Sequence, residues 1–164
     1  MLSELSFEIQ PTTRTSFACG AVSKLGKRVR SLGARRPLIV TDAGITRAGI
    51  APRIQQLLAR DGVEAALFDG VLANPTAQQV EEGAEQLRTL EGAIVVALGG
   101  GSSLDAAKAT ALVGANRGAV TDFTFGCKPE QRGRPVIAVP TTAGTGSETN
   151  MFGVVTEPKL GRKI

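Results

Sequence analysis

Two apolar rhythms alternate along this chain. Short, mostly apolar runs of strand length recur at Pro37–Thr41, Val63–Phe68, Ala93–Leu98 and Pro135–Val139. Between them lie longer stretches in which apolar residues return every three or four positions. These predict helices over roughly Val22–Leu32, Arg47–Arg60, Ala77–Leu90 and from the glycines after Leu98 onward. Gly33 and Asp61-Gly62 read as helix stops, and Asn74-Pro75-Thr76 as a turn that caps the next helix. Residues 4–10 and 14–18 read as two short strands around Pro11-Thr12-Thr13, an N-terminal β-hairpin. The stretch from Phe123 to Arg134 has no period. Strands alternating with helices over short links predict an α/β fold, a Rossmann-like doubly wound parallel sheet with right-handed crossovers. Residues 1–164 then form one domain.

The run Ala93–Leu98 is apolar on both faces, as the buried centre of a parallel sheet must be. It ends in Gly99-Gly100-Gly101, with Ser102 or Ser103 in position to cap the following helix. Strand, glycine turn and helix start together present bare backbone N–H groups and a partial positive charge to an anion. The sequence reading is a seat for a pyrophosphate; the plainer alternative is a turn whose glycines relieve strain. The common named motifs do not fit. Leu104 stands where the dinucleotide fingerprint needs its last glycine, and Lys108 follows Ala107 rather than glycine. Asp105 falls in the predicted first helical turn, where a carboxylate also complements the helix dipole. A second signal is Pro140 to Glu148, PTTAGTGSE, whose small and hydroxylated residues suit either close wrapping of a ligand or an ordinary polar connection. Asp42 ends a strand one unit away. It reads as an acceptor for ribose hydroxyls that repels a 2′-phosphate, or as an N-cap. In such sheets ligands sit at the carboxyl ends of the strands, where all three features fall.

Composition narrows the class. No apolar run approaches membrane-spanning length, and MLSELSFEIQ has neither a basic start nor an apolar core, so no membrane partner is expected. The net charge of +4 is modest. The basic cluster Lys24–Arg36 has no stacking aromatics among it, which argues against nucleic acid. Cys19 and Cys127 lack metal spacing and are too few for a disulfide framework, so a cytoplasmic protein with free thiols is expected.

Four groups of residues, in order and spacing, resemble the N-terminal half of the iron-containing (group III) alcohol dehydrogenases. They are Thr41-Asp42; Asp69-Gly70-Val71 with Asn74-Pro75-Thr76; Gly99-Gly100-Gly101-Ser102 with Asp105 and Lys108; and Pro140 to Glu148. The resemblance implies an oxidoreductase moving a hydride between NAD (or NADP) and an alcohol/aldehyde pair, as a homodimer. It places cofactor contacts at Asp42, Asn74, Gly100, Gly101, Ser102, Ser103, Asp105, Thr141, Thr142, Thr145 and Lys163. In that family Fe2+ or another divalent metal is held by one Asp and three His in a C-terminal helical domain. This chain has no histidine. The expectation is therefore a fragment of a longer two-domain enzyme, with no catalytic or metal residues of its own and an apolar face left exposed. LGRKI at its end reads as a strand cut short. The alternatives are a dehydroquinate-synthase-like enzyme, whose threonine loop does not read TAGTGSE, and a maleylacetate-reductase-like enzyme, whose loop carries a tyrosine. A non-catalytic nucleotide-binding module is the third.

Overall fold

The computed structural model describes residues 13–124 and 126–164. Four parallel strands form the central sheet: β1 (Leu38–Asp42), β2 (Ala66–Val71), β3 (Val95–Gly99) and β4 (Val136–Pro140), in the order β2-β1-β3-β4. Leu38 stands opposite both Ala66 and Val95, and Val95 opposite Val136, so the strands start level.

Strand alternation divides the core in two. Leu38, Val40, Val95 and Ala97 pack with α4 (Ala77–Arg88) and α5 (Gly101–Val113). Ile39, Ile94, Val96 and Leu98 pack with α1 (Leu25–Ser31) and α3 (Ile50–Arg60). Covering both faces explains why β1 and β3 read as continuous apolar runs. The helix α5 is buried over most of its circumference, at Ser103, Leu104, Ala106, Ala107, Thr110, Ala111 and Val113. Its small residues let α4 approach closely, and a Cβ on Gly83 would lie 3.1 Å from Thr110 Oγ1.

The departures from the sequence reading have local causes. The second arm of the expected hairpin, residues 14–18, is an exposed segment with no strand; the first arm, 4–10, lies outside the described residues. The helix expected over 47–60 begins at Ile50, as α3; a separate short helix that was not expected, α2 (Ala43–Arg47), precedes it, and Gly49 at φ 76° divides the two. The strand expected from Val63 begins three residues later. Val63 N–H first closes the end of α3 on the Leu58 carbonyl at 3.0 Å, and Glu64 N–H bonds Arg35. Neither Ser102 nor Ser103 caps α5; the N-cap is Gly100, so Asp105 lies beyond the first turn. Residues 156–163 form a small antiparallel hairpin, β5 (Thr156–Glu157) with β6 (Arg162–Lys163). It attaches to the turn before α4 through Thr156 N–H on the Pro75 carbonyl, 2.7 Å. A hollow of about 850 Å³ opens beside α5 and β4, with Met151 and Val154 exposed near it.

Candidate functional site

The chain leaves β1 toward β2 on one side of the sheet, and leaves β3 toward β4 on the other. Between the carboxyl ends of β1 and β3 the helices therefore part, and a crevice opens there. A cleft of about 490 Å³ occupies the place. Its walls are Asp42 and α2 residues, the end of β2 with Leu72 and Ala73, the turn Gly100–Ser103, and Thr141 with Thr142.

Asp42 ends β1 and caps α2. Its Oδ1 accepts from Ile45 N–H and its Oδ2 from the Ser103 hydroxyl, each at 3.1 Å. Thus the carboxylate ties α2 to the first turn of α5. Gly99 follows at φ 137°, a conformation that disfavours side chains, and a Cβ there would lie 2.7 Å from Ser103 Oγ. No side chain caps α5, whose N-cap Gly100 is extended at φ −83° and ψ −172°.

The hydroxyl-rich loop lies against this turn. Thr141 N–H docks it on the Gly99 carbonyl at 2.9 Å. A Cβ on Gly100 would lie 3.2 Å from Thr142 Oγ1, and one on Gly101 would lie 3.3 Å from Thr145 Cγ2. The far end of the loop is clasped to α5. Lys108 Nζ donates to the Ser147 carbonyl at 3.0 Å and to Asn150 Oδ1 at 3.1 Å, and pairs with Asp105 Oδ1 at 3.1 Å. The Ser147 hydroxyl donates to the same Asp105 oxygen.

Most of the expected residues converge. Asp42, Gly100, Gly101, Ser102, Ser103, Thr141 and Thr142 line one cleft, and Thr145 covers Gly101 at its margin. Asn74, at φ 56°, and Lys163 meet apart from them, with Lys163 Nζ donating to Asn74 Oδ1 at 3.2 Å. Asp105 belongs to the loop clasp. Lys108 was visible in sequence as part of a motif, and its three-residue spacing from Asp105 on one helix face announces the pair. Ser147 and Asn150 join only through folding, and Arg47 lines the cleft without any sequence signal.

A crevice at a switch point, floored by an uncapped helix behind a glycine turn, defines an α/β domain of Rossmann type, a fold whose crevice is of the kind that can take a dinucleotide. The residues fit such a ligand, because the Gly100–Gly101 backbone is bare where any Cβ would crowd the cleft wall. The chain belongs to the iron-containing alcohol dehydrogenase family, whose model matches residues 11–164. It is 41% identical over 155 residues to a choline dehydrogenase of Bacillus subtilis (strain 168), covering 93% of this chain and 38% of that enzyme. It is 38% identical over 138 residues to an NAD-dependent methanol dehydrogenase of Bacillus methanolicus, covering 84% of this chain and 36% of the other. Its fold matches the sulfoacetaldehyde reductase of Bifidobacterium kashiwanohense in complex with NAD+, with a TM-score of 0.87 and 31% identity. That match covers 97% of this chain and 42% of the reductase. The chain thus spans about two fifths of the length of the relatives it matches. Iron does not fit the residues at hand. The sequence holds no histidine, and the described residues contain no group of three or more Cys, Asp or Glu placed to hold a metal.

Proposed function

We propose that residues 1–164 are the dinucleotide-binding domain of an NAD-dependent alcohol dehydrogenase. The carrying observation is the uncapped start of α5, set behind three glycines in the β1–β3 crevice; the fold match to a sulfoacetaldehyde reductase in complex with NAD+ supports it. The pyrophosphate lies on the backbone N–H groups of Gly100–Ser103, where the helix dipole favours its charge. Asp42 accepts from the adenosine ribose. Thr141, Thr142 and Thr145 cover the phosphates and offer hydroxyl donors. Asn74 and Lys163, already in contact, take the nicotinamide ribose. Asp105 acts at one remove, by holding with Lys108 the loop that carries the threonines.

When bound, the dinucleotide supplies the hydride acceptor for an alcohol, or the donor for an aldehyde. The residues above orient it and exclude water around its phosphates. The iron of the family name and the alcohol are handled outside these residues, so no proton or metal step falls to this chain. A homodimer acting in the cytoplasm, with NADP as the lesser cofactor, completes the reading through the family.

The test is an NADH titration of the 164-residue chain, followed by an assay of alcohol-dependent NADH formation with ferrous iron or zinc. Binding without turnover is expected. No binding of NADH would overturn the proposal, and metal-dependent turnover would overturn the assignment of chemistry to residues elsewhere.

A further inference from the structure

The Ser103 hydroxyl sits where a phosphate ligand is expected, yet it does other work. Ser103 is 2% exposed, and its hydroxyl donates across the crevice to Asp42 Oδ2 at 3.1 Å. The other carboxylate oxygen is held by Ile45 N–H. A carboxylate gripped at both oxygens loses its freedom to turn about χ2, a torsion that is otherwise broad. It keeps further lone pairs for a ligand, since its two oxygens offer about four acceptor sites. A second observation points the same way. A Cβ on Gly99 would lie 2.7 Å from Ser103 Oγ and 3.4 Å from Asp42 Oδ2. The first glycine of the three thus makes room for this contact, while the other two are bare toward the loop.

Resting on the nucleotide reading above, we infer that Ser103 is the positioning residue for cofactor selection. Its hydroxyl, lodged against Gly99, fixes the Asp42 carboxylate in the plane that accepts a 2′-hydroxyl and refuses a 2′-phosphate. Ser103 acts through Asp42 and contributes no side-chain contact to the phosphates. The opposing influence in the cleft is Arg47, whose cation favours a 2′-phosphate. A discriminating carboxylate therefore depends on being held still.

The experiment titrates NADH and NADPH into the unaltered chain and into Ser103→Ala, Asp42→Asn and the double variant, with thermal melting of each. Asparagine also caps helices well, so Asp42→Asn keeps the start of α2. The unaltered chain is expected to favour NADH. Ser103→Ala is expected to narrow that preference by about tenfold, the scale of one hydrogen bond to a charged group, mainly through tighter NADPH binding. Asp42→Asn is expected to erase the preference, and Ser103→Ala to change nothing further in its background. Equal loss of both nucleotides in Ser103→Ala would overturn the inference and make the hydroxyl a phosphate ligand. An unchanged preference in that variant would overturn it too, as would an unaltered chain with no preference. Failure of the unaltered chain to bind either nucleotide would instead defeat the nucleotide reading itself.

Discussion

Helices α4 and α5 both follow a strand of the same sheet, yet their first turns are finished in opposite ways. Before α4, Thr76 accepts from Gln79 N–H while the Gln79 side chain accepts from Thr76 N–H, a reciprocal capping box. Before α5 stand glycines, and no side chain reaches back. A capping side chain is worth about 1 kcal/mol to a helix. At α5 the loss is smaller, about a few tenths of a kcal/mol, because glycine is itself a tolerated N-cap. The difference separates a helix start completed by its own side chains from one, like that of α3, that no side chain completes. Asp42 at α2 is intermediate: it caps its helix and still lines the cleft.

The sharpest way to break the comparison is to fill the open end. Gly101→Val adds a branched side chain where a Cβ already meets Thr145 Cγ2 at 3.3 Å. NADH affinity should fall by roughly a hundredfold or more, about 2.7 kcal/mol, while the melting transition stays cooperative. A variant that binds NADH as before would leave the glycines a purely structural role.

Next comes the loop over that end. Lys108 is 14% exposed and holds three oxygens at once. Lys108→Met should cost about 2 kcal/mol in denaturant melts, because it strands a part-buried Asp105. It should also weaken NADH by about tenfold, because the threonines lose their anchor. Unchanged affinity with lowered stability would confine the clasp to folding.

The closed end supplies the control. Thr76→Ala should lower stability by about 1 kcal/mol and leave NADH affinity unaltered, read from the same melts and titrations. Smallest is Arg47→Ala, exposed at the rim. It should weaken NADPH about threefold with NADH unmoved, in keeping with the modest worth of exposed charges. An equal effect on both nucleotides would place Arg47 against a part of the ligand that they share.

Much of this was legible along the chain, and the reasons are local. The apolar runs at Leu38–Val40 and Val95–Leu98 announce buried parallel strands because a sheet covered on both faces has no polar side to show. The glycine triplet announces a turn with bare backbone because only glycine leaves that space open. Asp42, Gly100 and Thr142 could be nominated singly on such grounds. Other features depend on where segments come to rest. The closing bonds at Val63 delay β2, and Gly49 at φ 76° holds back the start of α3. Ser103 reads as a cap in sequence, but the tertiary structure turns its hydroxyl to Asp42, 61 positions away. Asp105 reads as a dipole partner or ligand, and folding gives it Ser147, 42 positions away. Asn74 and Lys163, 89 positions apart, meet through the β5–β6 hairpin fastened to Pro75. Sequence determined the elements and the chemistry each carries, because those follow from side-chain periodicity and backbone freedom over a few residues. Which polar groups satisfy one another was decided by the sheet order, since a hydrogen bond between distant residues exists only once packing has brought them within about 3 Å.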